Sequence, residues 1–166
     1  MIAIIGCGNA NRSDDAAGLE VVRALKNRGR LSSRADIRLL DAGTDGMAVM
    51  FAARGCCALI VVDSCRTGAP PGAIFTVPGE ELERLPPASL NLHDFRWDNA
   101  LYAGRKMYGA RFPSDVAVYL IEAKSLQLGL DLSPEVTVAV TNVVEAIEGR
   151  FRVVLPDPPS MTQAPP

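Results

Sequence analysis

The chain has 166 residues, of which 48% are apolar and 22% charged, and its formal net charge is −2. These values are typical of one globular domain with a continuous core. Binding to nucleic acid or to an anionic membrane surface needs a concentrated basic patch, and the sequence contains no block of Lys and Arg, so we expect neither partner.

The N-terminal apolar run, residues 2–5, is too short for a signal sequence or a membrane span, and no basic segment precedes it. The four cysteines, Cys7, Cys56, Cys57 and Cys65, contain no CxxC pair and lack the density of a secreted disulfide scaffold. We therefore expect a cytoplasmic protein whose thiols are reduced and serve mainly as small apolar groups.

Short aliphatic runs alternate with amphipathic helical patterns along the chain. The helical spacing is clearest in residues 17–25 and 136–147, where apolar residues form one stripe on each helix. This alternation predicts an α/β fold, a three-layer α/β/α sandwich with a mostly parallel central sheet, whose ligand site lies at the carboxyl ends of the strands. The predicted strands, most of them buried on both faces, are residues 2–5, 37–40, 58–63, 73–77 and 116–121.

Polar residues suggest where the helices begin. Ser13 is the expected N-cap of the first long helix, and Ser133 followed by Pro134 is a clear start for the last one. A further amphipathic helix is predicted over residues 94–108. We assign residues 1–155 to a single domain and expect the proline-rich, polar residues 156–166 to form a disordered tail.

The first predicted strand leads into a glycine-rich turn, GCGNANRSDD. A dinucleotide fingerprint would use Gly6, Gly8 and a third glycine, with an acid such as Asp41 on the ribose. Asn11 occupies the third glycine position, and two aspartates stand where the pyrophosphate would bind, so like charges would repel. A nucleotide-binding domain is therefore a minor alternative, and we expect the turn to hold a carboxylate at a reaction site.

Acidic and imidazole groups are expected to meet at the crevice. One of the neighbouring residues Asp14 and Asp15 is needed only for the start of the helix, and the other is placed to face the crevice. Asp63 ends the most apolar strand, ALIVVD, and His93 is the single histidine of the chain. Two carboxylates and an imidazole form a mixed site suited to a borderline divalent transition metal.

The single histidine excludes an HExxH zinc protease and a three-histidine zinc site. A Ser-His-Asp triad through His93 lacks the G-x-S-x-G turn that would support it. A catalytic Cys-His pair would need Cys7 or Cys65. A zinc site that combines these two cysteines with His93 and Asp63 stays open at this stage.

Four segments, taken in order, resemble one protein family. IIGCGNANRSDDAAG is similar to its opening G-x-G-N motif with an acid pair, and DAGTDG to its D-G-G-T-x-G loop. IVVDSCRTGAPPG is similar to the strand and loop that carry its second acid, and SLNLHDF to its histidine segment. On these motifs, residues 1–150 resemble the [NiFe]-hydrogenase maturation proteases, endopeptidases that remove a C-terminal extension from the hydrogenase large subunit.

The resemblance implies a role for each matching residue. Asp15, Asp63 and His93 align with the groups that bind metal in this family, and nickel(II) is expected to arrive with the large-subunit precursor, with no organic cofactor. The resemblance does not say which group activates the attacking water; from the chemistry of a carboxylate that is not fully engaged by metal, we expect Asp15 or Asp63 to be the catalytic general base. Asp14 is expected to stabilise the helix start and the turn. The class of enzyme implied is a peptide-bond hydrolase that acts on the nickel-loaded precursor.

The loop Gly43, Thr44 and Asp45 is the expected binding segment for the precursor's tail, because turns that contain glycine leave main-chain donors accessible. An alternative from another functional class is a non-catalytic module of the same fold, a carrier or chaperone that holds nickel or a small ligand. A protein that binds the loaded precursor but never shortens it would fit that alternative.

Overall fold

A five-stranded sheet forms the centre of the molecule. The computed structural model describes residues 1–79 and 97–151. The strands are β1 (Ile2–Cys7), β2 (Ile37–Gly43), β3 (Ala58–Cys65), β4 (Ile74–Pro78) and β5 (Asp115–Glu122).

The strand order is β2-β1-β3-β5-β4, and every neighbouring pair is parallel except β4 and β5, which are antiparallel. The chain goes from β1 outward to β2 and then crosses to the other side of β1 to form β3. This reversal opens a crevice at the carboxyl ends of β1 and β3, which is the usual ligand position in open α/β sheets. Gly6 pairs with Val62, so the turn after β1 lies beside the end of β3.

Helices cover both faces of the sheet. On one face, α1 (Ala17–Arg28) and α4 (Pro134–Arg150) pack over an aliphatic core that contains Ile4 and Ile60. On the other face, α2 (Gly46–Ala53) and α3 (Trp97–Tyr108) pack over a second core. Of the helices described, none is long and apolar enough to cross a membrane.

The predicted fold class is confirmed, since the described residues form two helical layers around a mostly parallel sheet. All five predicted strands are present. β4 departs from the expected burial on both faces: it is an edge strand in which Ile74 and Phe75 are each 36% exposed. α2 was not predicted. The domain boundary at residue 155 and the tail 156–166 lie outside the described residues.

The predicted cap at Ser13 is wrong. Ser13 begins a 3₁₀ turn, Ser13–Ala16, with a positive φ of 47°, and α1 starts only at Ala17. The reason is a contact distant in sequence: the Ser13 main-chain N–H donates to the carbonyl of Gly129, which fixes the turn before the helix. Ser133 does occupy the N-cap position of α4, with Pro134 directly after it.

Candidate active site

A cleft with a volume of about 340 Å³ opens at the carboxyl ends of β1 and β3. It lies where the sequence placed the ligand site. Both predicted catalytic acids line it, together with the predicted substrate-binding loop. The described lining residues are Cys7, Gly8, Arg12, Asp15, Gly43, Thr44, Asp45, Gly46, Asp63 and Trp97.

Close backbone packing explains the glycines near this cleft. A Cβ on Gly8, whose φ is +128°, would lie 1.8 Å from the Asp15 carbonyl oxygen. A Cβ on Gly18 would lie 2.2 Å from the carbonyl oxygen of Val62. Gly18 thus lets the start of α1 pack on the end of β3, and Gly8 lets the turn after β1 close against the backbone of Asp15. The turn holds the backbone of Asp15 in position.

Asp15 is half-buried at the cleft. Its Oδ1 accepts a hydrogen bond of 2.8 Å from the Ser64 hydroxyl, and its Oδ2 accepts one of 3.2 Å from the main-chain N–H of Asn9. These bonds orient the carboxylate from two strands, because Asn9 follows β1 and Ser64 belongs to β3.

Asp63 is only 5% exposed but still reaches the cleft. Its Oδ1 accepts from the Ser64 main-chain N–H at 2.8 Å, and its Oδ2 accepts from the indole N–H of Trp97 at 2.8 Å. Ser64 therefore donates to both acids, through its main chain to Asp63 and through its hydroxyl to Asp15. This residue links the two carboxylates across the crevice.

The loop Gly43–Asp45 forms another wall of the cleft, but its three residues differ in the main-chain groups they offer. The N–H of Gly43 already donates to Asp41 Oδ1 at 2.9 Å, and the N–H of Asp45 donates to the Ala42 carbonyl at 3.0 Å. Within residues 1–79 and 97–151, the N–H of Thr44 donates to no protein group. Thr44 thus offers the accessible main-chain donor of this loop.

The carboxylate of Asp45 has a structural function of its own. Asp45 is the N-cap of α2, and its Oδ1 accepts from the main-chain N–H groups of Met47 at 2.8 Å and Ala48 at 3.2 Å. This cap fixes the loop at the start of the helix. Substrate binding by Gly43, Thr44 and Asp45 stays a prediction.

Asp14 does not share the cleft with its neighbour. It is fully buried, and its oxygens accept from the main-chain N–H groups of Lys124, Ser125 and Ser133 and from the Ser133 hydroxyl. Asp14 therefore stabilises the start of α4 and the loop after β5, and not the start of α1 as expected. Between the two acids that the sequence left open, the structure places Asp15 at the cleft.

The third predicted metal ligand, His93, lies outside the described residues. In the part of the chain that the structure describes, no three His, Cys, Asp or Glu side chains are grouped closely enough to hold a metal ion. Asp15 and Asp63 supply two oxygen donors of the expected set, and the ligand assignment stays a prediction.

The contacts of Asp41 and of the glycine turn bear on the nucleotide alternative. Asp41 is the acid that this alternative assigned to the ribose, and its Oδ1 is bonded to the N–H of Gly43. The carbonyl of Gly43 in turn accepts from the N–H of Gly8 at 2.9 Å, which joins the two loops. The glycine turn therefore contacts the neighbouring loop and the Asp15 backbone, and this disfavours a phosphate cradle.

Glu122 organises the loop after β3, beside the cleft. Burial alone would raise its pKa, but hydrogen bonds from the Thr67 N–H and hydroxyl and from the Gly68 N–H lower the pKa below its ordinary value. Burial, and then the hydrogen bond to Glu122, raise the pKa of Cys65 to about 12. Because its thiolate is disfavoured and it lies outside the described cleft-lining residues, Cys65 is a poor candidate for a nucleophile. Among the described residues, Cys7, Cys65 and Asp63 are not grouped closely enough to hold a zinc ion.

The sequence did not predict that Ser64, Trp97 and Arg12 belong to the site. Ser64 and Trp97 each donate a hydrogen bond that orients Asp63. Arg12 was not singled out. The signal for Ser64 was its place directly after a strand-ending acid, whereas Trp97 and Arg12 carry no local pattern that indicates the cleft.

A family model described as hydrogenase maturation protease matches residues 19–150. The hydrogenase expression/formation protein HupD of Thiocapsa roseopersicina is 29% identical over 87% of this chain. The chain covers 64% of that protein, which is less than two thirds of its length.

Two other relatives match this chain over nearly their whole length. The hydrogenase 2 maturation protease of Escherichia coli is 26% identical over 91% of this chain and 90% of its own length. The solved structure of the hydrogenase maturating endopeptidase HybD from E. coli superposes with a TM-score of 0.75 at 23% identity. That match covers 90% of this chain and 91% of the other, and it shows that the two share a fold.

Proposed function

The chain belongs to the hydrogenase maturation protease family, and we propose that it is an endopeptidase that removes the C-terminal extension of a nickel-loaded [NiFe]-hydrogenase large-subunit precursor. The observation that carries this proposal is the meeting of Asp15 and Asp63 in one cleft, joined through Ser64. A carboxylate pair at a strand-end crevice suits both the recognition of a cation and the activation of water.

Nickel enters this reaction as part of the substrate. Asp15, Asp63 and His93 are the residues we assign to contact it, so that only a precursor with nickel inserted is held in the correct position. Carboxylate oxygen and imidazole nitrogen are suitable donors for such a metal. The bound ion thereby reports that the precursor is ready to be cut.

Hydrolysis needs a base near the scissile peptide bond. One of the two carboxylates, Asp15 or Asp63, accepts a proton from the attacking water, which makes the enzyme aspartic in type. Asp15 is the more exposed of the two and borders the cleft directly, whereas Asp63 is 5% exposed and bonded to Trp97. The main-chain N–H of Thr44 is placed to bind a carbonyl of the precursor's tail.

The proposed partner is therefore the large-subunit precursor, and the proposed location is the cytoplasm. None of the four cysteines, Cys7, Cys56, Cys57 and Cys65, forms a disulfide bond within the described residues, and a reducing compartment keeps thiols in this form.

The test measures loss of the C-terminal extension by intact mass. Purified precursor, prepared with and without inserted nickel, is mixed with the wild-type protein and with His93→Ala. We expect the wild-type protein to cleave only the nickel-loaded precursor, and His93→Ala to cleave it at least about a hundredfold more slowly.

Two results would contradict the proposal. Equal cleavage rates for the precursor with nickel and without it would show that the enzyme does not recognise nickel. Tight binding of the loaded precursor without shortening would favour the carrier or chaperone instead.

A further inference from the structure

Arg12 is the one basic residue among the described residues that line the cleft. The other charged lining residues in this part of the chain are the three aspartates, Asp15, Asp45 and Asp63. A cleft with this charge repels the negative charge that develops on a carbonyl oxygen during peptide hydrolysis. A positively charged donor at the same place would offset that repulsion.

The position of Arg12 is fixed at several points. Its Nε–H donates to the carbonyl of Leu126 at 3.0 Å, and its main chain forms a parallel bridge with Gly129. Its main-chain N–H donates to the carbonyl of Asn9 at 3.1 Å. These contacts fix the main chain of Arg12, which lines the cleft, and one nitrogen of its guanidinium group.

The remaining donors of this guanidinium are available. An arginine side chain carries five N–H donors, and one of those of Arg12 is bonded to Leu126. Within residues 1–79 and 97–151, Arg12 makes no ion pair and no further side-chain hydrogen bond. The side chain is exposed, so a substrate can reach its two terminal nitrogens.

We propose that Arg12 is a catalytic residue that donates hydrogen bonds to the scissile carbonyl oxygen of the precursor and stabilises the oxyanion formed there. This inference rests on the proposed endopeptidase function. Preorganised donors of this kind are among the largest contributions to peptide hydrolysis, because they bind the transition state more tightly than the ground state.

The chemical step then balances within the cleft. The oxygen of water bonds to the carbonyl carbon, its proton passes to Asp15 or Asp63, and the carbonyl electron pair moves to the oxygen that Arg12 binds. The pair returns as the bond between carbon and nitrogen breaks, and the leaving nitrogen takes the proton from the carboxylate. The products are a carboxylic acid and an amine.

The experiment uses the full chain and nickel-loaded precursor, with kcat and KM measured by intact mass. The variants are Arg12→Ala and Arg12→Lys. The matched control is Arg30→Ala, which removes an exposed arginine beyond α1 at the opposite edge of the sheet. Thermal unfolding of each variant reports whether the turn still folds.

We expect Arg12→Ala to lower kcat by about a hundredfold with KM changed less than about threefold, as for the loss of one oxyanion donor. Arg12→Lys should recover about tenfold of this loss, because it keeps the charge but not the planar fork. Arg30→Ala should cleave like the wild type.

Three results would overturn the inference. An unchanged kcat in Arg12→Ala, beside active wild type, would leave the protease function intact and remove Arg12 from catalysis. A loss confined to KM, or explained by a lower unfolding temperature in both Arg12 variants, would make the residue a docking or structural group. Absence of cleavage by the wild type would overturn the endopeptidase function and this inference together.

Discussion

Two pairs of carboxylates lie at the same edge of the sheet and are held in different ways. We call Asp14 and Glu122 the anchoring pair, and Asp15 and Asp63 the cleft pair. The anchoring pair is at most 2% exposed and accepts mainly from main-chain N–H groups of distant loops. Both pairs also accept from side chains, the anchoring pair from the Ser133 and Thr67 hydroxyls and the cleft pair from Ser64 and Trp97, but only the cleft pair borders the cleft.

The difference separates carboxylates that bind distant loops from those that border the cleft. A buried carboxylate with several main-chain donors stabilises the loops that supply those donors. The cleft pair is oriented from two strands and meets solvent through the cavity, so its chemistry is accessible. We therefore expect substitutions in the cleft pair to reduce activity first, and substitutions in the anchoring pair to reduce stability first.

The largest expected effect is on cleavage in Asp63→Asn. Removing this charge from the cleft pair should slow cleavage of the nickel-loaded precursor by about a thousandfold, since loss of a general base or of substrate positioning costs 10²–10⁴-fold. Single-turnover rates by intact mass measure the loss. A variant that cleaves within about tenfold of the wild-type rate would place the chemistry elsewhere.

Asp14→Asn should change stability most. The amide replaces an oxygen that accepts from the donors at residues 124, 125 and 133, and this should lower the free energy of unfolding by about 2–4 kcal/mol. Urea denaturation measures the change. The control is Asp131→Asn, an exposed aspartate, for which a change within about 0.5 kcal/mol is expected. Equal changes in the two variants would refute an anchoring function.

The rate at which Cys65 is alkylated tests its contact with Glu122 of the anchoring pair. Burial and Glu122 raise the pKa of Cys65 to about 12, so only a small fraction of the Cys65 side chains are thiolates at pH 8. The exposed Cys57 should therefore be alkylated first. Glu122→Gln removes the carboxylate and should speed alkylation of Cys65, because one cause of its raised pKa is lost. Peptide mass spectrometry after iodoacetamide treatment measures both rates. An unchanged or slower Cys65 rate would contradict this coupling.

The smallest expected effect is a change in the pH dependence of stability. The pKa of Glu122 is lower in the folded protein than its ordinary value of 4.5, so its stabilising contribution is complete above that value and is lost as the pH falls through the folded pKa. Denaturation at pH 7 and below pH 4 should therefore show a smaller acid-induced loss in Glu122→Gln than in the wild type. The same loss in both proteins would show that Glu122 makes no such contribution.

Much of the fold was predictable because the inner strands are continuous aliphatic runs. Such runs indicate strands buried on both faces, and β1, β3 and β5 are the three inner strands of the sheet. α2 was missed because GMAVMFAA is apolar on all sides and shows no amphipathic stripe. The antiparallel direction of β4 depends on its pairing with β5 about 45 residues later, which no local pattern encodes.

The site was predictable in part for a similar reason. The acids after β1 and at the end of β3 were expected at one crevice, because the carboxyl ends of neighbouring parallel strands meet there. Local sequence could not distinguish Asp14 from Asp15, because the groups that bind the buried Asp14 lie at residues 124–133, far along the chain. The contact from Trp97 to Asp63 likewise joins residues far apart in the chain.

The most direct test of the account compares Asp14→Asn with Asp15→Asn, two neighbouring residues with opposite expected behaviour. Cleavage of nickel-loaded precursor is measured at a temperature well below both unfolding midpoints. We predict a loss of at least about a hundredfold for Asp15→Asn, and a rate within about fivefold of wild type for Asp14→Asn. Full activity in Asp15→Asn, or an equal loss in both variants, would contradict the assignment of the cleft pair to catalysis and substrate binding.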